Sequence, residues 1–249
     1  MRQPSGSVVR PNKVATRPGF VFRLLLMTMA CVAAPRSTEA QDPGVTWLIF
    51  VDDLHLDFRD TGCIRKSLRS IASHLIREED RVVLRSSGPS FGANDLIVNR
   101  TLLEATTASL AGNSLPPAAI LPSSLTAHEV RYRASLALSA ATEMLKVAPS
   151  FPRRRAAMLY VSNGYVLDSS DSRLAAFSSA AQRFQVPVFA INAGSLPAVS
   201  ARRVRDDAAL AAMLNSLRMM SEPTGGIAVL NESEFVDALQ RGVIDRWAR

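Results

Sequence analysis

The stretch Trp47-Leu48-Ile49-Phe50-Val51-Asp52-Asp53-Leu54-His55-Leu56-Asp57 decides how this chain is read. Its first five residues are continuously apolar and rich in branched and aromatic side chains. That pattern suits a strand buried on both faces of a parallel sheet, so the strand is expected to be central. The run stops at Asp52, Asp53, His55 and Asp57, the densest group of potential ligands in the chain. From Thr61 the spacing turns helical, with Ile64, Leu68, Ile71 and Leu75 on one face.

Downstream, strand and helix signals alternate. Arg81 to Ser86 reads as a second strand, and Ser87-Gly88-Pro89-Ser90 is turn chemistry leading to a weaker run at Leu96-Ile97-Val98, a hairpin at a sheet edge. Leu102 to Leu110 predicts a short helix stopped by Gly112-Asn113, and an alanine-rich helix is expected from about His128 to Val147. The strand Ala156 to Val161 follows. Then come a helix from about Asp171 to Phe184, a strand from Val186 to Ile191, a helix from about Asp206 to Ser221, a strand from Ile227 to Leu230 and a helix from about Glu232 to Trp247. This order implies an α/β, doubly wound, Rossmann-like fold: a mostly parallel six-stranded sheet with one antiparallel edge strand and helices on both faces.

Residues 1–40 stand apart. Arg2, Arg10, Lys13, Arg17 and Arg23 precede an apolar run, Leu24 to Ala34, that is far shorter than the ~20 residues of a membrane-spanning helix, and small residues close it. The segment is expected to be a signal peptide, with a single domain over residues 41–249, export to the periplasm or beyond, and no membrane span after cleavage. A retained anchor and lipidation at Cys31 stay open as alternatives.

The leader holds six basic residues and one acid, so it carries +5 of the chain's +7 and leaves +2 on the domain. A nearly neutral domain gives no electrostatic case for nucleic acid. Arg153-Arg154-Arg155 and Arg202-Arg203-x-Arg205 read as solvated loop or helix-end residues, with an anion site as the alternative. Cys63 is the only cysteine past the leader, so no intrachain disulfide forms there.

In sheets of this kind the ligand site lies beyond the carboxyl ends of the strands, where strand order reverses. Asp52 to Asp57 follow the first strand, Ser86-Ser87 the second, and Ser162-Asn163-Gly164 the fourth. His55, His74 and His128 fall in separate segments without metal-ligand spacing. The order of elements, Asp52 at its strand end, and Leu159-Tyr160-Val161-Ser162-Asn163-Gly164-Tyr165 together resemble the von Willebrand factor type A family over nearly all of residues 45–247. Trp47 to Asp60, Val98-Asn99-Arg100-Thr101-Leu102-Leu103 and Thr224-Gly225-Gly226 resemble, more narrowly, an exported bacterial subfamily.

The resemblance implies a divalent-ion adhesion site built from an Asp-x-Ser-x-Ser motif, a later threonine and an aspartate. Asp52 matches the first position, but Leu54 and Leu56 stand where the serines would be and Asn163 where the aspartate would be. Ser123, Ser124 and Thr126 are the candidates for the threonine. Magnesium favours six oxygens in near-octahedral array, and leucine offers none. A degenerate site is therefore expected, with Asp52 and Asn163 as its remaining metal positions, no resident cofactor, and both side chains bonded to loop backbone instead.

The function implied is a non-enzymatic protein-interaction module whose strand-end face, Asp52, Asp53, Leu54, His55 and Asn163, meets a protein partner. Exposed Leu54 and Leu56 would supply an apolar contact. The alternative is a phosphatase-like hydrolase with Asp52 as nucleophile or base. A structural module within a larger complex is a third reading. A receiver domain fits poorly, since no aspartate ends the second strand and no lysine follows Ile191.

Overall fold

The computed structural model describes residues 44–91, 96–114, 124–167, 171–193, 207–230 and 237–241, all within the compact unit Ala40–Arg249. The leader lies outside the described residues. Strand β1 spans Val45–Val51, β2 Arg81–Ser86, β3 Leu96–Val98, β4 Arg155–Ser162, β5 Val188–Asn192 and β6 Ala228–Val229. Helix α1 spans Thr61–His74, α2 Arg100–Thr106, α3 Ser124–Leu145, α4 Ser172–Arg183 and α5 Asp207–Ser221.

Five strands run parallel in the order β2-β1-β4-β5-β6. Outside β2, the short β3 pairs antiparallel with Val82–Leu84. The chain leaves β1 toward β2 on one side and returns to β4 on the other, so the strand order reverses at β1. Val51 pairs with both Ser86 and Val161, which places the residues after β1, β2 and β4 side by side.

Alternation along β1 builds two cores. Trp47, Ile49 and Val51 pack with Ile64, Leu68 and Ile71 of α1, Leu103 of α2 and Leu239 of the helical turn 237–241. Leu48 and Phe50 face α3, α4 and α5 through Leu138, Met144, Phe177 and Leu217. Both faces of the sheet are thus covered, which is why β1 is apolar without interruption.

Several boundaries shift for local reasons. Pro187 has no N–H to give a ladder, and β5 begins only at Val188. Within the helical stretch expected to reach Leu110, α2 ends at Thr106 and gives way to a 3-10 turn at Thr107–Ser109. Strand β6 holds two residues, matching the two pairs it makes with β5. Of the expected last helix only 237–241 lies among the described residues. Gly226, just before β6, passes so close to β5 that a Cβ there would sit 1.9 Å from the Val188 carbonyl oxygen.

Candidate functional site

Asp52 is the first residue after β1, and its backbone N–H still donates to Val161 O across the sheet at 2.9 Å. Its side chain is fully buried. Four donors from three connections converge on it. His55 Nδ1 lies 2.9 Å and Ser87 Oγ 2.7 Å from Oδ1, while Ser162 Oγ lies 2.8 Å and the Tyr165 hydroxyl 2.7 Å from Oδ2. A carboxylate only accepts, so His55 carries its proton on Nδ1. Tyr165 spends its one hydroxyl proton on Asp52, so the Tyr160 hydroxyl, in short contact with it, is the donor of that pair.

Burial pushes the Asp52 carboxyl up, but the charge of His55 and hydrogen bonds from His55, Tyr165 and Ser87 outweigh it and hold the group below the usual carboxylate range. Burial and the Asp52 carboxylate push the phenols of Tyr160 and Tyr165 well above theirs, keeping both as O–H donors. The His55 ring meets Tyr165 edge-on, with centroids 4.8 Å apart.

Asp53 has a different task. Its side chain is also fully buried, and it accepts from Gly88 N at 2.5 Å and Ser90 N at 3.0 Å, fixing the connection after β2. Asn113 N donates to Asp53 O at 2.7 Å and Ser114 N to Leu56 O at 2.9 Å, so the segment after the 3-10 turn braces the same loop. Asp57 caps its own 3-10 turn by accepting from Arg59 N at 2.9 Å.

These facts correct three expectations. Asp52 bonds side chains rather than loop backbone; only Asn163 does the latter, through Nδ2 to His55 O at 2.9 Å. Leu56 is fully buried, because the loop turns back on itself with His55 N bonded to Asp52 O and tucks the side chain into the α1 core. Asp52 and Asp53 are equally enclosed, so of the five residues expected to touch a partner only Leu54, His55 and Asn163 are partly exposed. Ser123 is outside the described residues, as are the side chains of Ser124 and Thr126.

The residues present do not fit a divalent ion. Both Asp52 oxygens are occupied by protein donors, and the leucines at 54 and 56 bring no oxygen. Asn163 Oδ1 is enclosed without a partner among the described residues, a single neutral donor where an octahedral ion favours six. Among the described residues no three His, Cys, Asp or Glu side chains are grouped to hold a metal. A nucleophilic Asp52 is equally unsupported, since an attacking oxygen must reach substrate and neither oxygen is exposed.

Ser87 and Tyr165 were not singled out by sequence reasoning. A tyrosine right after a buried strand does carry a signal, because a buried phenol needs a partner for its hydroxyl.

Among the described residues no helix is long and apolar enough to cross a membrane. No protein-family model matches the chain, and no curated protein matches it. Among solved structures it is similar to the human COPII-coat protein Sec24c at 12% identity and a TM-score of 0.46, over 80% of this chain and 32% of that one. It is similar to a von Willebrand factor type A protein from Catenulispora acidiphila at 15% identity and a TM-score of 0.37, over 74% of this chain and 43% of that one. It is similar to the TFIIH p34 N-terminal domain at 13% identity and a TM-score of 0.40, over 82% of this chain and 99% of that one. The chain thus spans under half of the first two.

Proposed function

We propose that this chain is an exported protein-interaction module of the von Willebrand factor type A kind, non-enzymatic, whose strand-end face captures a protein partner without a bridging cation. The reading rests on one observation above all: each oxygen of Asp52 is held by two protein donors, so the chain's own hydroxyls and imidazole fill the role that a coordinated ion would have there. Support for the family comes from the strand order reversing at β1 and from the motif residues around Asp52 and Asn163. Support for export, and for the bacterial subfamily, comes from the leader and the segments named above.

With Asp52 and Asp53 buried, large apolar side chains reach the surface on this side of the sheet, next to the exposed Asp57–Arg59 ion pair. Phe58 is 71% exposed and Val166 44%, beside partly exposed Leu54, His55 and Asn163. Large apolar side chains left in water at strand ends suit an interface anchored by packing.

Photo-crosslinking tests this. A benzophenone amino acid at position 58 or 166 is expected to capture the same partner with EDTA present, and one at exposed position 102 on α2 is not. Capture that needs a divalent ion, or that is equal from position 102, would sink the reading.

A further inference from the structure

The opposite edge of the sheet carries a second feature. Where β4, β5 and β6 begin, the turn before β4, the α4–β5 connection and the α5–β6 connection surround a groove of about 1000 Å³. Pro187 is buried and Phe151 and Phe184 are half-buried, giving an apolar floor, while Pro149, Pro152 and Pro223 stand exposed along it. Prolines fix their own backbone, so little order remains to be imposed on this lining by a ligand.

The charge is one-sided. Arg153, Arg154 and Arg155 line the groove against a single acid, Glu222. Arg154 donates to Glu79 O at 2.8 Å and ties the turn down, whereas Arg153 is exposed. Arg183, just outside, stacks its guanidinium 5.0 Å from the centroid of the lining Phe184 ring.

Backbone strain gathers here too. Among the described residues only two that are not glycine have a left-handed backbone, Arg153 at φ 70° and Gln185 at φ 56°, and both line this groove. Glycine would sit in either position more easily. At Gln185 this is the ordinary left-handed residue that ends α4, with Val186 N bonded back to Ala181 O; Arg153 instead sits in a turn closed by Arg154 N to Phe151 O, and strain kept there with an exposed guanidinium is the pattern of a functional surface.

We propose that this groove is a second recognition site, separate from the strand-end face, that takes an extended acidic segment of a partner protein. Guanidinium forks pair with carboxylates in two-bonded geometry. The phenyl and proline floor gives nothing to a free phosphate but buries the aliphatic stems and proline rings of a peptide.

The test uses a fluorescein-labelled dodecapeptide of alternating glutamate and proline and its glutamine–proline counterpart, followed by anisotropy on the purified chain. The acidic peptide is expected to bind with a salt-dependent Kd and the neutral one at least tenfold more weakly. Arg153→Gly removes the guanidinium and relieves the strain, so it is expected to unfold at a higher temperature yet lose at least fivefold in affinity. Lys66→Gln, which removes an exposed positive charge of α1 outside the groove, is expected to keep the peptide. Equal binding of the two peptides, no binding of the acidic one, undiminished binding by Arg153→Gly, or displacement by low-millimolar inorganic phosphate would each overturn the proposal.

Discussion

The imidazole of His55 lies 2.9 Å from Asp52 Oδ1 and is held there by a loop that closes His55 N onto Asp52 O at 3.0 Å. The pair is asymmetric: the Asp52 side chain is fully buried and that of His55 is 16% exposed. The loop therefore brings its own hydrogen-bond donor to a carboxylate that would otherwise be buried alone, which is the costly state.

Asp52→Asn should destabilise the fold although it is isosteric. The amide offers one accepting oxygen and one donating nitrogen to a point where four donors converge, so two of them lose their acceptor. At roughly 1–3 kcal/mol for each unsatisfied buried group, the loss should be about 2–6 kcal/mol by urea unfolding. A variant as stable as the parent would show that the four contacts do not form.

Acid should act on the same group. The folded carboxyl titrates below the usual range, so the unfolded state binds its proton first as pH falls. The stability it contributes is present above the unfolded value, near ~4, and is lost as pH drops through the lower folded value. The gap in unfolding free energy between parent and Asp52→Asn should therefore be present at pH 5 and close as pH falls below about 4. A gap that persisted unchanged to pH 2.5 would contradict the shift.

Divalent ions should leave the thermal transition where it is. An ion selective for the native state at a hundred times its Kd adds about 2.7 kcal/mol, which would raise the midpoint of a domain this size by roughly 5–10 °C. Millimolar magnesium, manganese or calcium is expected to give no such rise. A rise that vanished in Asp52→Ala would restore a metal-bridged mechanism.

The fold was legible because its strongest signal is local. A central parallel strand is buried on both faces, and Trp47 to Val51 display that in five consecutive letters. Asp52 was legible by position, as the residue after that strand where strand order reverses. Its partners were not, because Ser87, Ser162 and Tyr165 lie 35, 110 and 113 residues away and meet only when β2 and β4 flank β1. Leu56 misled for a related reason: alternation after a strand says nothing about a loop that folds back, and the chain at Gly112 passes so close to that loop that a Cβ there would lie 2.4 Å from Leu56 O. The arginine run at 153–155 reads as a solvated turn until three separate connections place proline and phenyl rings beside it.

Asp80, at the opposite end of the sheet from Asp52, sets the start of β1. Its Oδ1 accepts from Val45 N at 2.7 Å, and its Oδ2 accepts from Trp47 Nε1 at 3.0 Å and Arg77 N at 2.9 Å. The residue is only 2% exposed, so water cannot replace it for these donors. Asp80→Ala strands all three and should cost about 3–5 kcal/mol, while Asp80→Asn keeps one accepting oxygen and should cost less. Trp47 reports the change directly: in a Trp247→Phe background its emission is the only indole signal, and the loss of the Nε1 bond should alter its native-state spectrum as well as lower the urea midpoint. An Asp80→Ala midpoint within about 0.5 kcal/mol of the parent, with unchanged Trp47 emission, would mean that β1 is set by its strand pairing alone.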